Sequence, residues 1–177
     1  MRNAGGEISI GVVGLERLDD LQPIWESLSD HHVEIAPSLR VLGPVRPSPD
    51  SWAVRRSHYI SLFGQDPAAF ALVASLAGDP VGYALVQVRG PEESWGTGPV
   101  AVLETLAVLP AHRRRGIGTA LVRAMMVELR RRAIGHWEVA TITTNEEAIR
   151  FYERLDLLPF TVNYIGLVPS EVDFGSR

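Results

Sequence analysis

The stretch VLPAHRRRGIGTALVRAMMVELRRR, residues 108–132, crowds three arginines against two glycines just where a helix begins. Ile117, Leu121, Ala124 and Met125 recur at helical spacing, which predicts an amphipathic helix. Just before it, PVAVLETLAVLP (99–110) is apolar on both parities, with Glu104 and Thr105 as its only polar side chains. That pattern predicts a central strand covered on both faces. The arginines and glycines thus stand at a strand-to-helix junction, where the first backbone N–H groups lack internal partners and the helix dipole favours an anion. Gly116 and Gly118 remove Cβ atoms that would obstruct a phosphate, and Arg113, Arg114 and Arg115 add positive charge. A turn merely shaped by glycine and flanked by solvated arginines is the alternative, and this motif alone leaves both open.

Two rival phosphate motifs fail on inspection. A mononucleotide loop needs lysine after its last glycine, whereas Thr119 follows Gly118. A dinucleotide fingerprint would find an acidic ribose ligand in Glu138, but Leu121 stands in place of the third glycine. The insertion PAHRRR also separates the first glycine from its strand by too much for that tight turn.

Working outward, EISIGVVG (7–14) predicts a strand and residues 18–36 a helix, with Pro23 in its first turn. Residues 37–51 hold Pro37, Pro44, Pro47 and Pro49 and predict a loop. Residues 50–63 predict a second helix capped by Asp50 or Ser51. Two apolar runs over 69–90, divided by Gly78-Asp79-Pro80, predict an antiparallel hairpin. PEESWGTG (91–98) is a loop; HWEVATITT (136–144) predicts a strand, NEEAIRFYERL (145–155) a helix and PFTVNYIGLV (159–168) a last strand. The order is mixed α/β, roughly βααβββαβαβ. The strand–helix–strand of residues 99–144 forms a parallel pair in an otherwise antiparallel sheet.

Composition bounds the function. The 177 residues suit one domain over 1–177, and 46% hydrophobic with 21% charged residues is ordinary for a globular protein. A net charge of -4 argues against nucleic acid as a bulk partner. With no cysteine there is no disulfide, thiol nucleophile or cysteine-ligated metal, and no apolar run reaches the ~20 residues of a membrane helix. The expectation is a cytoplasmic protein with no membrane, nucleic-acid or metal partner, for which a homodimer is admissible.

The segment LETLAVLPAHRRRGIGTAL (103–121) resembles the acetyl-CoA motif R/Q-x-x-G-x-G/A of the GNAT superfamily of N-acetyltransferases, as Arg113-Arg114-Arg115-Gly116-Ile117-Gly118. TNEEAIRFYERLDLLPF (144–160) is similar to its downstream N-x-x-A-x-x-x-Y-x-x-x-G-F segment. The resemblance runs from about residue 69 to 160 and thins over 1–68. One departure is visible: Asp156 and Leu157 stand where the family commonly has Gly-Phe, which predicts a different cap for that helix. The resemblance implies a GNAT fold, with helices on both faces of the sheet and the parallel strand pair at the cofactor site. The implied activity is acetyl transfer from acetyl-CoA to the primary amine of a small molecule or peptide. A catalytically silent acyl-CoA-binding module is the alternative.

By the same resemblance, the main chain of Leu106, Ala107 and Val108 would receive the pantetheine arm. Arg113, Arg114, Arg115, Gly116, Ile117, Gly118 and Thr119 would hold the pyrophosphate, with Asn145 and Ala148 contacting the cofactor from the other side. Ala148, Tyr152 and Leu155 share a helical face. Tyr152 on that face, at the matching family position, would protonate the departing thiolate. The amine needs a base, and Glu104 is the first candidate. By strand parity it shares an apolar face with Val102, Leu106 and Val108, where burial raises a carboxyl's pKa. A structural salt bridge is the competing role for Glu104, and His31, His32 and His58 are further candidates for the base.

Overall fold

The computed structural model describes residues 7–91, 96 and 98–168. They fall into two compact units, one running to His31 and resuming over Arg46–Ala140, the other comprising His32–Val45 and the chain from Thr141 onward. The first unit holds the whole five-stranded sheet, in the order β1-β2-β3-β4-β5. Its strands are β1 (Ile8–Val13), β2 (Phe70–Leu76), β3 (Asp79–Arg89), β4 (Val100–Val108) and β5 (His136–Val139). All neighbours pair antiparallel except β4 and β5, which run parallel. The mixed α/β fold is therefore as the sequence predicts, with β4 one place from the edge. Ala77 and Gly78 both have positive φ, +52° and +96°, which is the backbone a two-residue hairpin between β2 and β3 requires.

The helices are α1 (Gln22–Ile35), α2 (Ser48–Gln65), α3 (Ile117–Arg131) and α4 (Glu146–Glu153). Short 3₁₀ turns cover Leu15–Leu21, Pro37–Leu42 and Pro110–His112. One face of the sheet packs Ala71, Val73, Tyr83, Leu85 and Ala107 against Leu18, Leu21, Ile24, Trp25, Trp52, Tyr59 and Leu62 from the turn before α1 and from α1 and α2. On the opposite face lies α3, whose Ile117, Leu121, Val122, Met125 and Leu129 are buried. Each such aliphatic side chain contributes about 1.5–3 kcal/mol by leaving water. Gly82 on β3 lets α3 come this close. A Cβ there would stand 2.9 Å from the Ala107 carbonyl oxygen, 3.1 Å from Val108 Cγ2 and 3.4 Å from Ile117 Cγ2.

Three expectations need correction. The second helix starts at Ser48 with Pro47 in the cap position, so neither Asp50 nor Ser51 caps it. Proline at the start of a helix costs no hydrogen bond, and the Ser51 hydroxyl instead accepts from Trp25 Nε1 at 3.2 Å. The loop predicted over 37–51 is correspondingly shorter and contains the Pro37–Leu42 turn. No strand forms over 159–168: Phe160, Val162, Tyr164 and Leu167 are exposed in irregular chain. High β propensity yields a strand only where a partner supplies the ladder. Most of the loop predicted over 91–98 lies outside the described residues.

In the second unit, Asn145 Oδ1 accepts from the Ala148 amide at 3.1 Å and so caps α4. The Thr144 hydroxyl donates to the Ile35 carbonyl at 2.7 Å. The end of α4 answers the Asp156 departure. Asp156 takes φ +62°, its amide donates to Glu153 O at 3.0 Å and the Leu157 amide to Tyr152 O at 3.2 Å. This is the left-handed helix stop that glycine ordinarily supplies, made here with aspartate.

Candidate active site

Strand β4 outlasts β5. The last parallel pair is Leu103 with Val139, so from Glu104 to Val108 the β4 edge has no strand beside it among the described residues. The Leu109 amide donates to Val81 O at 2.9 Å, and the Ala107 carbonyl also faces β3. Strand alternation then turns the main-chain groups of Val108 and Leu106 to the open edge. Arg113 Nε donates to Val108 O at 3.1 Å, which ties the first arginine back to the strand end. Of the three residues expected to receive the pantetheine arm, Leu106 and Val108 point outward and Ala107 points into the sheet.

At the end of that edge begins α3. Gly116 occupies its cap position with φ +81° and no side-chain cap, and the first intrahelical bond runs from the Ala120 amide to Gly116 O at 2.9 Å. The amides of Ile117, Gly118 and Thr119 form the open first turn. Arg114, at φ +56°, and Arg115 are exposed, and Arg115 Nη1 lies 3.5 Å from His112 Nδ1. The amides of a helix's first turn beside two exposed guanidinium groups suit a polyanion such as a diphosphate.

Strand parity misplaces Glu104. The β3–β4 register runs Leu85 to Thr105 and then Val86 to Leu103, so Glu104 is an extra residue with no partner, a β-bulge. Leu106 and Val108 pair with Ala84 and Gly82 on the α3 face, while Thr105 and Ala107 pair with Leu85 and Tyr83 on the α1/α2 face. Across the bulge the alternation slips, and the Glu104 carboxylate reaches α2. Its Oε1 accepts from Gln87 Nε2 at 2.6 Å, and its Oε2 lies 3.8 Å from Arg55 Nη1 and 3.5 Å from His58 Nε2. The expected apolar face shared with Leu106 and Val108 is replaced by a polar cluster.

Behind this cluster lies a buried hydroxyl network that the sequence did not reveal. Tyr59 shares hydrogen bonds with Thr105 Oγ1 at 2.6 Å and with Tyr83 OH at 3.1 Å. Burial pushes the Tyr59 phenol up and the Tyr83 phenol well up from their ordinary value. Thr105 was visible only as a polar residue in an apolar strand. In the second unit, Tyr152 is half-buried, and loss of hydration pushes its phenol up to about 12. His58 is thus beside Glu104, whereas His31 and His32 belong to α1 and have other interactions.

Comparison with known proteins bears on the family and the fold. The family description "Acetyltransferase (GNAT) family" matches residues 25–157. A mycothiol acetyltransferase of Thermobispora bispora is 34% identical over 98 residues, which are 55% of this chain and 32% of that protein. An aminoglycoside N(6')-acetyltransferase type 1 of Klebsiella aerogenes is 40% identical over 58 residues, 33% of this chain and 38% of that protein. The matches thus span about a third of the length of these curated relatives. Among solved structures, an aminoglycoside N-acetyltransferase AAC(6')-Iy in complex with CoA superposes with a TM-score of 0.66 at 18% identity, covering 96% of this chain and 99% of that one. A ribosomal-protein-alanine N-acetyltransferase from Brucella melitensis biovar Abortus gives a TM-score of 0.62 at 20% identity, covering 92% and 100%. These two likenesses concern the fold.

Proposed function

Because the chain belongs to the GNAT acetyltransferase family, whose co-substrate is acetyl-CoA, we propose that it acetylates a primary amine by direct attack, as one catalytic domain. The observation that carries this reading is the open β4 edge running into the uncapped start of α3, with a carboxylate raised on a bulge beside it. In this reading the amides from Arg114 to Thr119 bind the diphosphate, and Leu106 and Val108 hold the pantetheine arm through main-chain bonds.

The amine nitrogen attacks the thioester carbonyl carbon, the N–C bond forms and the C–S bond breaks. Glu104 takes the ammonium proton, directly or through water, and Tyr152 gives one to the thiolate. A phenol with its pKa near 12 remains protonated at neutral pH and can serve as that donor.

A silent acyl-CoA-binding module would use the same cofactor groups, but would have no use for Glu104 or Tyr152. The test is thiol release from acetyl-CoA across a panel of small amines and peptides. Release that depends on the amine supports the enzyme; cofactor binding without release from any amine supports the module.

A further inference from the structure

The Arg55 guanidinium is fixed from three sides. It lies 4.1 Å from the centroid of the Trp25 ring and 5.5 Å from that of Tyr59, and its Nη1 is 3.8 Å from Glu104 Oε2. Arg55 is 27% exposed and Glu104 18%, so both are partly withdrawn from water yet still reach the surface. A guanidinium keeps its charge at every accessible pH. The proposed base therefore carries a permanent cation within a few ångströms, and His58 at 3.5 Å adds a second when protonated. With the neutral Gln87 amide on the other oxygen, the cluster has no net negative charge.

Such a cluster is a poor host for a polycation, since each additional ammonium brought near Arg55 meets like charge. An acceptor with one amine and a carboxylate on the adjoining carbon fits both ends: its amine faces Glu104 and its carboxylate meets the guanidinium, for which a planar two-oxygen anion is the matching partner. We propose that the acceptor is an α-amino acid, selected through Arg55 by its carboxylate. This inference rests on the acetyltransferase reading given above.

The experiment compares a mixture of common α-amino acids, the matching mixture of their amides and a linear triamine. Each is measured in two ways: thiol release from acetyl-CoA, and calorimetric binding to the protein saturated with CoA. The proteins are the unmodified chain, Arg55→Met, which keeps an apolar stem against Trp25, and Arg55→Lys, which keeps the charge. The expected result is a preference of roughly tenfold for the acids over their amides, lost in Arg55→Met and retained in part in Arg55→Lys, with the triamine weakest. Equal use of acids and amides, a preferred triamine, absence of binding by the acids, or an unchanged ratio in Arg55→Met overturns the proposal. Preferential binding of the acids without thiol release from any amine would instead overturn the acetyltransferase reading and leave the Arg55 site standing.

Discussion

Glu104 and Thr105, adjacent in the chain, both reach the α1/α2 side of the sheet. Thr105 bonds Tyr59 at 2.6 Å, while Glu104 pairs with His58 at 3.5 Å. Neighbours in a regular strand point to opposite faces, and the one-residue slip between Leu85 and Val86 removes that constraint. The bulge thus sets a charged side chain beside α2 without disturbing the buried tyrosines behind it.

Replacing Glu104 by Gln keeps the shape and the bond to Gln87 within reach but removes the proposed base. Turnover is expected to fall about 10²–10⁴-fold at neutral pH, and to recover in part at high pH, where free amine is abundant. Turnover against pH for both proteins on one accepted amine is the measurement. An identical rising limb would pass the role to His58, which lies beside Glu104.

Gly118→Asp places a carboxylate in the first turn of α3, where the diphosphate is expected. Acetyl-CoA affinity should drop by at least an order of magnitude while the fold survives, because an acidic residue suits the start of a helix. Calorimetric titration of the folded variant decides it, and unaltered affinity would remove the diphosphate from this position.

In Tyr152→Phe one hydroxyl is lost and little packing. Turnover should fall by about 10²-fold or more with cofactor affinity nearly unchanged, which pre-steady-state thiol release and titration separate. Retained turnover would leave the residue a packing role.

Alkaline pH should also unfold the protein. Tyr59, Tyr83 and Tyr152 all have phenols raised in the folded state, so above pH 10 the unfolded chain binds fewer protons than the native one. Stability is therefore full below pH 10 and falls as pH rises, for Tyr152 through about 12, at up to about 1.4 kcal/mol per pH unit for each tyrosine. Denaturant midpoints from pH 8 to 11 give the check. Tyr152→Phe should flatten the slope.

Two helices end on left-handed residues other than glycine. Ala133 has φ +58° after α3, with its amide donating to Arg130 O and the Ile134 amide to Leu129 O, and Asp156 repeats the pattern after α4. Ala133→Gly is expected to stabilise the fold by about 1 kcal/mol through relief of Cβ strain. Thermal unfolding measures this, and a lower midpoint would contradict it.

Much of this was legible in the sequence. Periodicity placed α3, the β2–β3 hairpin and the parallel β4–β5 pair, because apolar spacing reports directly on burial. The glycines and arginines of the α3 junction were legible because their conformational and charge properties are local. By contrast, the face of Glu104 was hidden, since parity counting assumes an unbroken ladder and a bulge leaves no compositional trace in ETLAV. Its contacts to Arg55 and His58 join residues more than forty positions apart, beyond the reach of any spacing rule. The strand expected over 159–168 shows the same limit, for strand pairing depends on a neighbour that composition does not specify.

The register of β4 has a consequence for how the reaction relates to the fold. Excise residue 104 and the remaining strand could pair with β3 without interruption, every apolar side chain keeping its place in the two cores. The carboxylate is thus a single-residue graft on the scaffold: one deletion would leave the sheet between its two layers of helices with the proposed base gone.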